Sequence, residues 1–363
     1  MNVEKLYRVI ADFDSDLKKI SLTQLLTDLN QNLQYVIGNP GHAPYQSNLV
    51  TSLETLYNEL DKSEYNNYTP MYKETIKEIT GDLLFGSDLK VEIEKIFTTN
   101  TITPAKAAEE IDSILQSIIQ VQNGISNTIS GLEILNIKKE ELEPGECEIG
   151  YSIPRIFIDN KLEGLRNEIS ELNFILNFFN EAVKGKKEDY RVKTISSSDF
   201  LLYVIICLQV ANVLSKAVER ILNHYKQILE IKSLRNQLSQ SGVPEKETKS
   251  IDDYANNIMQ NEIKKIAKEI IDEHYKNGDT GRKNEVQNGL TIALNKLANR
   301  IDNGFNVEIR VKPLPASKIE EKSEKVLKDS ELINSIMKTA KNIDYIEAKG
   351  KSILKLPEEN DRK

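Results

Sequence analysis

The chain contains no tryptophan, two cysteines, three histidines and only 6% aromatic residues, and its apolar runs fall short of the length a bilayer span needs. Each shortage removes a class of protein. Cys147 and Cys207 cannot build a disulfide framework or a thiolate metal site, and Cys207 lies within an apolar run where it packs as a small hydrophobe. His42, His224 and His274 stand far apart with no carboxylate at a metal-ligand spacing, so no metal or cofactor is expected. The stretch from Met1 to Ile20 carries mixed charge and lacks the basic and apolar regions of a secretion signal. A reducing cytoplasm is the expected setting. The missing tryptophan, beside abundant Ile, Lys and Asn, matches the codon supply of an AT-rich bacterial or phage genome. A net charge of −8 argues against coating nucleic acid or an anionic membrane, so nucleic acid is an unlikely partner and no membrane is expected.

Apolar periodicity fills the gap. Charged residues make up 29% and hydrophobic ones 39%, the balance of a water-exposed helical fold with a sizeable core. Residues 1–142 read as an N-terminal helical region. Leu6, Ile10 and Phe13 form one stripe, Ser21 is placed to cap a second with Leu22, Leu26, Leu29 and Leu33, and Thr103-Pro104 opens a helix reaching about Ile137. Asp12, Asp14 and Asp16 imitate the start of a calcium loop, but Leu17 and Thr23 replace its glycine and glutamate, so they are expected to break or cap the first helix.

The character changes at Glu143-Pro144-Gly145, and residues 143–316 read as an α+β core. Three segments alternate as strands: Ile149 to Ile153, Tyr190 to Ile195 and Phe305 to Val311. A helix joins the first two, which predicts a parallel pair with a right-handed crossover. Each strand has one polar face, so the fold class is mainly α with a small β-sheet, a long-helix bundle in which a parallel strand pair and a third strand are backed by helices on one face.

After the second strand, Ser196-Ser197-Ser198-Asp199 supplies short side chains suited to a helix N-terminus, and every residue from Phe200 to Leu208 is apolar. The spacing predicts one helix over 199–241, ended by Gly242 and Pro244. Leu214, Val218, Ile221, Tyr225, Ile228, Ile231, Leu234 and Leu238 mark a seam of coiled-coil type, expected to find a partner helix within the chain or in another copy. Residues 317–363 read as a charged C-terminal region, with one amphipathic helix, a hairpin around Gly350 and a disordered tail from Pro357 as the expectation.

Four constellations invite chemistry. Parallel strands would bring Arg155 and Asp159 to the edge where Ser196, Ser197 and Ser198 open a helix, a place for a small anion such as phosphate; helix capping alone explains the serines as well. Arg191, Lys193, Arg310 and Lys312 fall on strand faces as a basic patch, without the interleaved aromatics that stack on bases. Gly278 to Lys283 lacks the spacing and the Lys-Ser or Lys-Thr ending of a P-loop. Asp344, Glu347 and Lys349 sit in a tail where charges cluster by chance. The sequence therefore points first to a non-enzymatic helical scaffold or adaptor in a cytoplasmic bacterial or phage assembly, self-associating or binding a partner protein through its long helix. A sensor or enzyme for a small anion comes second, and a nucleic-acid effector using the basic sheet face third.

Overall fold

The computed structural model describes residues 3–196, 200–276, 280–320, 323–344 and 351–359. The chain divides into two compact units, Asn2–Glu141 and Leu142–Lys363.

The first unit is helical. Helix α1 (Val3–Lys19) turns Val9, Ile10, Phe13 and Leu17 inward, α2 (Leu22–Gly38) adds Leu22, Leu26, Leu29 and Leu33, and α3 (Ala43–Lys62) adds Leu56 and Leu60. Helices α4 (Pro70–Thr80), α5 (Gly86–Thr99) and α6 (Pro104–Ile134) complete the bundle, α6 running unbroken past Gly124 and Gly131. Ser21 does not cap α2 through its side chain; its backbone is left-handed at φ 53° and its hydroxyl turns back to Lys18 O. Nor do the aspartates break α1. Asp14 pairs with Lys18 one turn on, at 2.6 Å. Asp16 accepts from Ser63 Oγ at 2.6 Å and from the Glu64 and Tyr65 N–H groups at 2.8 and 3.1 Å, pinning the 3₁₀ turn Glu64–Asn67. That turn delivers the Tyr65 ring against Phe13 and Phe85 in the core.

The second unit is built on a sheet of β1 (Cys147–Ile153), β2 (Arg191–Ser196), β3 (Phe200–Ile206) and β4 (Asn306–Val311), in the order β2-β3-β1-β4. Every pairing is antiparallel, which corrects the expected parallel pair. β1 and β2 do run in one direction, but β3 lies between them. The source of the error is the run Phe200 to Ile206, a strand and not the start of a helix. A short apolar run carries no period, so a strand buried on both faces looks like a buried helix. Here β3 is flanked by partners on both sides, and Leu201, Leu202, Tyr203, Val204 and Ile206 are all buried.

One sheet face presents Ile149, Tyr151, Ile153, Leu202, Val204, Val307 and Ile309 to a core shared with helix α7 (Leu162–Lys184), which contributes Leu172, Ile175, Leu176 and Phe179. Burial of each such side chain is worth roughly 1.5–3 kcal/mol before the entropy of ordering is counted. The other face is polar yet also buried. The Tyr203 ring lies over Gly150, where a Cβ would come within 2.4 Å of it, and the Tyr203 hydroxyl donates to Glu308 at 3.1 Å. Arg310 is 7% exposed and bound to Glu148, which is fully buried, with Nε to Oε1 at 2.7 Å.

Helix α8 (Leu208–Gln240) has 33 residues and spans about 50 Å at 1.5 Å per residue. It starts from an N-cap at Cys207. It packs with α9 (Glu245–His274) and α12 (Glu324–Ala340), while α10 (Thr280–Asp302) lies against α7 and α9. A single turn, α11 (Ala316–Ile319), follows β4. Among the described residues no helix is long and apolar enough to cross a membrane.

Candidate functional site

The expected anion site loses its foundation. Ser196 is the last residue of β2 and pairs with Leu201, and Ser197 and Ser198 lie outside the described residues. With α8 beginning at Leu208, no helix N-terminus stands at Ser196. Arg155 instead lies over the Phe200 ring, 4.5 Å from its centroid, and reaches Asn160 at 3.4 Å. Asp159 sits in a left-handed turn at φ 50° and pairs with Lys161 at 3.3 Å. The basic face is also altered by its neighbours. Arg191 and Lys193 both bind Glu146, and Arg310 is taken by Glu148.

The seam is largely used within the chain. Leu214, Val218, Ile221, Tyr225 and Ile228 are buried in the second unit's core, Ile231 and Leu238 are half-buried, and Leu234 is 52% exposed. The three histidines stay apart: His42 against the Tyr45 ring, His224 by Glu262 and His274 by Glu273. Among the described residues no group of three or more His, Cys, Asp or Glu side chains is placed to hold a metal ion. A cleft of about 270 Å³ opens between α8 and α9, lined by Lys216, Arg220, Glu269, Glu273 and His274, but its Arg220 is already held by Glu262 and Glu269.

The most developed recognition geometry lies on α10. Its last eight residues, Asn295 to Asp302, are all buried although five are polar. Asn295, Asn299 and Asp302 recur at intervals of four and three, so they form one stripe along the helix. The stripe reads backbone. Asp302 Oδ2 accepts the N–H groups of Ile353 and Leu354 at 2.6 and 2.7 Å. Asn299 accepts the N–H of Leu356 and donates to its carbonyl, both at 3.0 Å. Asn295 donates to Pro357 O at 2.8 Å. From α9, Asn256 donates to Ile353 O at 3.1 Å and accepts the Lys355 N–H at 2.6 Å.

These contacts fix the path of the segment. The seven steps from Asn295 to Asp302 of α10 rise about 10 Å, a distance that the four steps from Ile353 to Pro357 reach as an extended chain, at up to about 3.3 Å each, and not as a helix at about 1.5 Å each. The segment runs antiparallel to α10 and is neither helix nor strand, and side-chain amides take the place of a sheet partner. Ile353, Leu354 and Leu356 point into the core, each no more than 4% exposed, while Lys355 and Pro357 face outward. Glu358 closes the groove, accepting from Asn299 Nδ2 at 2.8 Å and lying 3.4 to 3.5 Å from Arg300 and Lys296. The hairpin expected around Gly350 falls partly on residues 345–350, which lie outside the described residues, and the tail expected to be disordered from Pro357 is docked as far as Glu358.

The groove floor is pre-organised by a buried ion pair. Lys232 Nζ of α8 meets Asp302 Oδ1 at 2.8 Å with the two side chains 1% and 0% exposed, and the Tyr225 hydroxyl donates to the same oxygen at 2.7 Å. Burial, and then the carboxylate beside it, hold the Tyr225 phenol well above its usual pKa, so it stays a donor. Arg300 forks onto Glu168 of α7 at 2.7 and 3.1 Å, and Lys296 pairs with Glu171 at 2.7 Å. The carboxylate of Asp302 is thus fixed by groups outside the segment, and Asn256 is anchored by donating to Asp252 O at 2.7 Å. Sequence reasoning named Tyr225 as a seam residue and missed the other polar groups of the groove, although polar residues at helical spacing inside an apolar helix were the visible signal.

Comparisons with protein-family models, with curated proteins and with solved structures found no match.

Proposed function

We propose that the chain is a non-enzymatic interaction protein of the scaffold or adaptor kind, working through the groove along α9 and α10. The observation that carries this reading is Asn299, whose side chain engages both the N–H and the C=O of Leu356 while Asn256 does the same across Ile353 and Lys355. Paired amide contacts of this kind recognise extended backbone, and the apolar sites of Ile353, Leu354 and Leu356 add side-chain selection. The ligand is an extended segment with apolar residues at its first, second and fourth positions, followed by proline and an acidic residue. Two free cysteines agree with a reducing cytoplasmic setting. The long helix serves here as the groove's support, because most of its seam is covered by its own chain. The anionic-ligand reading has no helix N-terminus to rest on, and the nucleic-acid reading has cations already paired with carboxylates.

The test uses the full-length chain carrying Leu354→Glu, which places a charge in an apolar site and expels the segment. A fluorescein-labelled peptide spanning Lys351 to Glu359 binds this variant saturably, with Kd in the micromolar range. The unsubstituted chain binds about 100-fold more weakly, since its own segment competes at an effective concentration on the order of 1 mM. A Leu354→Glu chain that keeps its helical signal and thermal transition yet leaves the peptide free would refute the proposal.

A further inference from the structure

Helices α8 and α9 leave between them a cleft of about 270 Å³. That is below the roughly 300–1,000 Å³ of pockets for drug-sized ligands, so it suits a molecule of about ten heavy atoms. Its floor is apolar. Val213 and Ala217, one turn apart on α8, line it together with Ile266 and Ile270, one turn apart on α9, and all four are buried. Beside the floor each helix carries a polar row, Asn212 and Lys216 on α8, Glu269 and Glu273 on α9. Asn212 is 9% exposed, and its buried Oδ1 has no hydrogen-bond partner among the described residues. Buried polar atoms in folded proteins are paired as a rule, so this acceptor calls for a donor from outside the chain.

The charges around the cleft narrow the choice of ligand. Arg220 is tied to Glu262 and Glu269, and Glu219 accepts from Asn342 at 2.6 Å. Two opposite charges stay available. Lys216 has no ion-pair partner among the described residues, and Glu273 has there only His274, at 3.7 Å, beyond hydrogen-bond length. The two stand on opposite helices and do not pair with each other. An inorganic anion would answer Lys216 but would lie among Glu219, Glu269 and Glu273, and a simple amine would answer Glu273 but meet Lys216. A zwitterion answers both. We propose that the cleft binds a free α-amino acid with an apolar side chain. Its carboxylate lies on Lys216, its ammonium between Glu273 and Asn212 Oδ1, and its side chain on the floor at Ala217, Ile266 and Ile270. Binding here does not involve the groove along α9 and α10.

Isothermal titration calorimetry of the full-length chain with L-leucine tests the proposal, with an expected Kd on the order of 100 µM. Isocaproate, which lacks the ammonium, and isoamylamine, which lacks the carboxylate, bind at least about tenfold more weakly, because each leaves one charge of the cleft unanswered. Lys216→Glu, at an exposed position, weakens leucine by at least about tenfold and leaves the urea midpoint unchanged. Asn212→Leu removes the orphaned acceptor with little change of volume. It weakens leucine binding without lowering the thermal transition, a result that a purely structural role for Asn212 would not give. Ala217→Leu fills the floor and abolishes binding; should that chain fail to fold, Lys216→Glu decides alone. Absence of binding heat with leucine up to about 10 mM overturns the proposal. So does isocaproate or isoamylamine binding as tightly as leucine, or a leucine Kd that Lys216→Glu leaves unchanged.

Discussion

Asp302→Asn removes one charge and changes almost no volume, so it isolates the electrostatics of the groove floor. The carboxylate accepts four hydrogen bonds: from Tyr225 and Lys232 on one oxygen, and from the Ile353 and Leu354 N–H groups on the other. An asparagine has one acceptor end. Whichever way it turns, its NH₂ faces donors, and Lys232 is left buried without a counter-charge. Loss of one partner of a buried pair costs about 3–5 kcal/mol, to which an unsatisfied buried donor adds about 1–3 kcal/mol. The expected loss is therefore at least about 3 kcal/mol, which moves a urea midpoint down by about 1–2 M at a slope of roughly 2–3 kcal/mol/M. Urea denaturation followed by far-ultraviolet circular dichroism measures it in the full chain. Lys232→Met supplies the control, because Asp302 keeps Tyr225 and both backbone donors, and the double variant should be more stable than Asp302→Asn alone. An Asp302→Asn midpoint within about 0.3 M of the parent, or strictly additive effects in the double variant, would refute the reasoning.

Three further outcomes follow from single sites. Gly289 of α10 faces the Phe178 ring so closely that a Cβ would lie 1.9 Å from it; Gly289→Ala should lower stability by about 1–3 kcal/mol in thermal melts, and Phe178→Ala should relieve most of that loss. Burial raises the Glu146 pKa, but the Glu143 N–H, Lys193 and Arg191 lower it more, leaving it below the usual carboxylate value. Because the folded-state pKa is the lower one, this stabilisation is present above the ordinary carboxylate pKa and fades as pH falls through the folded value. With Arg191 largely exposed it amounts to about 0.5–1 kcal/mol, so Glu146→Gln should be less stable at pH 7 and match the parent near pH 2 in paired urea titrations. Cys147 is 1% exposed and burial pushes its thiol well up, so iodoacetamide at pH 8 should leave it unmodified by peptide mass mapping until the chain is unfolded.

Most helices were legible because an apolar residue repeats every three or four positions over several turns, as Leu6, Ile10 and Phe13 do in α1, but α4 and α5 were not separated from the helical N-terminal region and the start of α8 was placed too early. β1 and β4 alternate and were legible for the same reason at period two. β3 was not, because its burial on both faces erases alternation, and the misread run carried the parallel pairing and the anion site with it. The segment at Ile353 to Glu358 has no period either. Its order comes from Asn256, Asn299 and Asp302, more than fifty residues away in sequence, and that complementarity exists only once α9 and α10 are packed. The seam shows the converse. Its spacing was visible, but whether α7, α9 and α12 or another copy would cover it was a tertiary matter.

The central claim is that side chains of α9 and α10 hold the backbone of residues 353–356. Amide hydrogen exchange of the full-length chain, resolved to single residues, tests it most directly, since the Ile353, Leu354, Lys355 and Leu356 N–H groups donate to Asp302, Asp302, Asn256 and Asn299 respectively. The account predicts protection at all four amides, with Asn299→Ala releasing Leu356 first and by the largest factor. Exchange at the rate of an unstructured peptide at these positions, or protection that Asn299→Ala leaves unchanged, would contradict it.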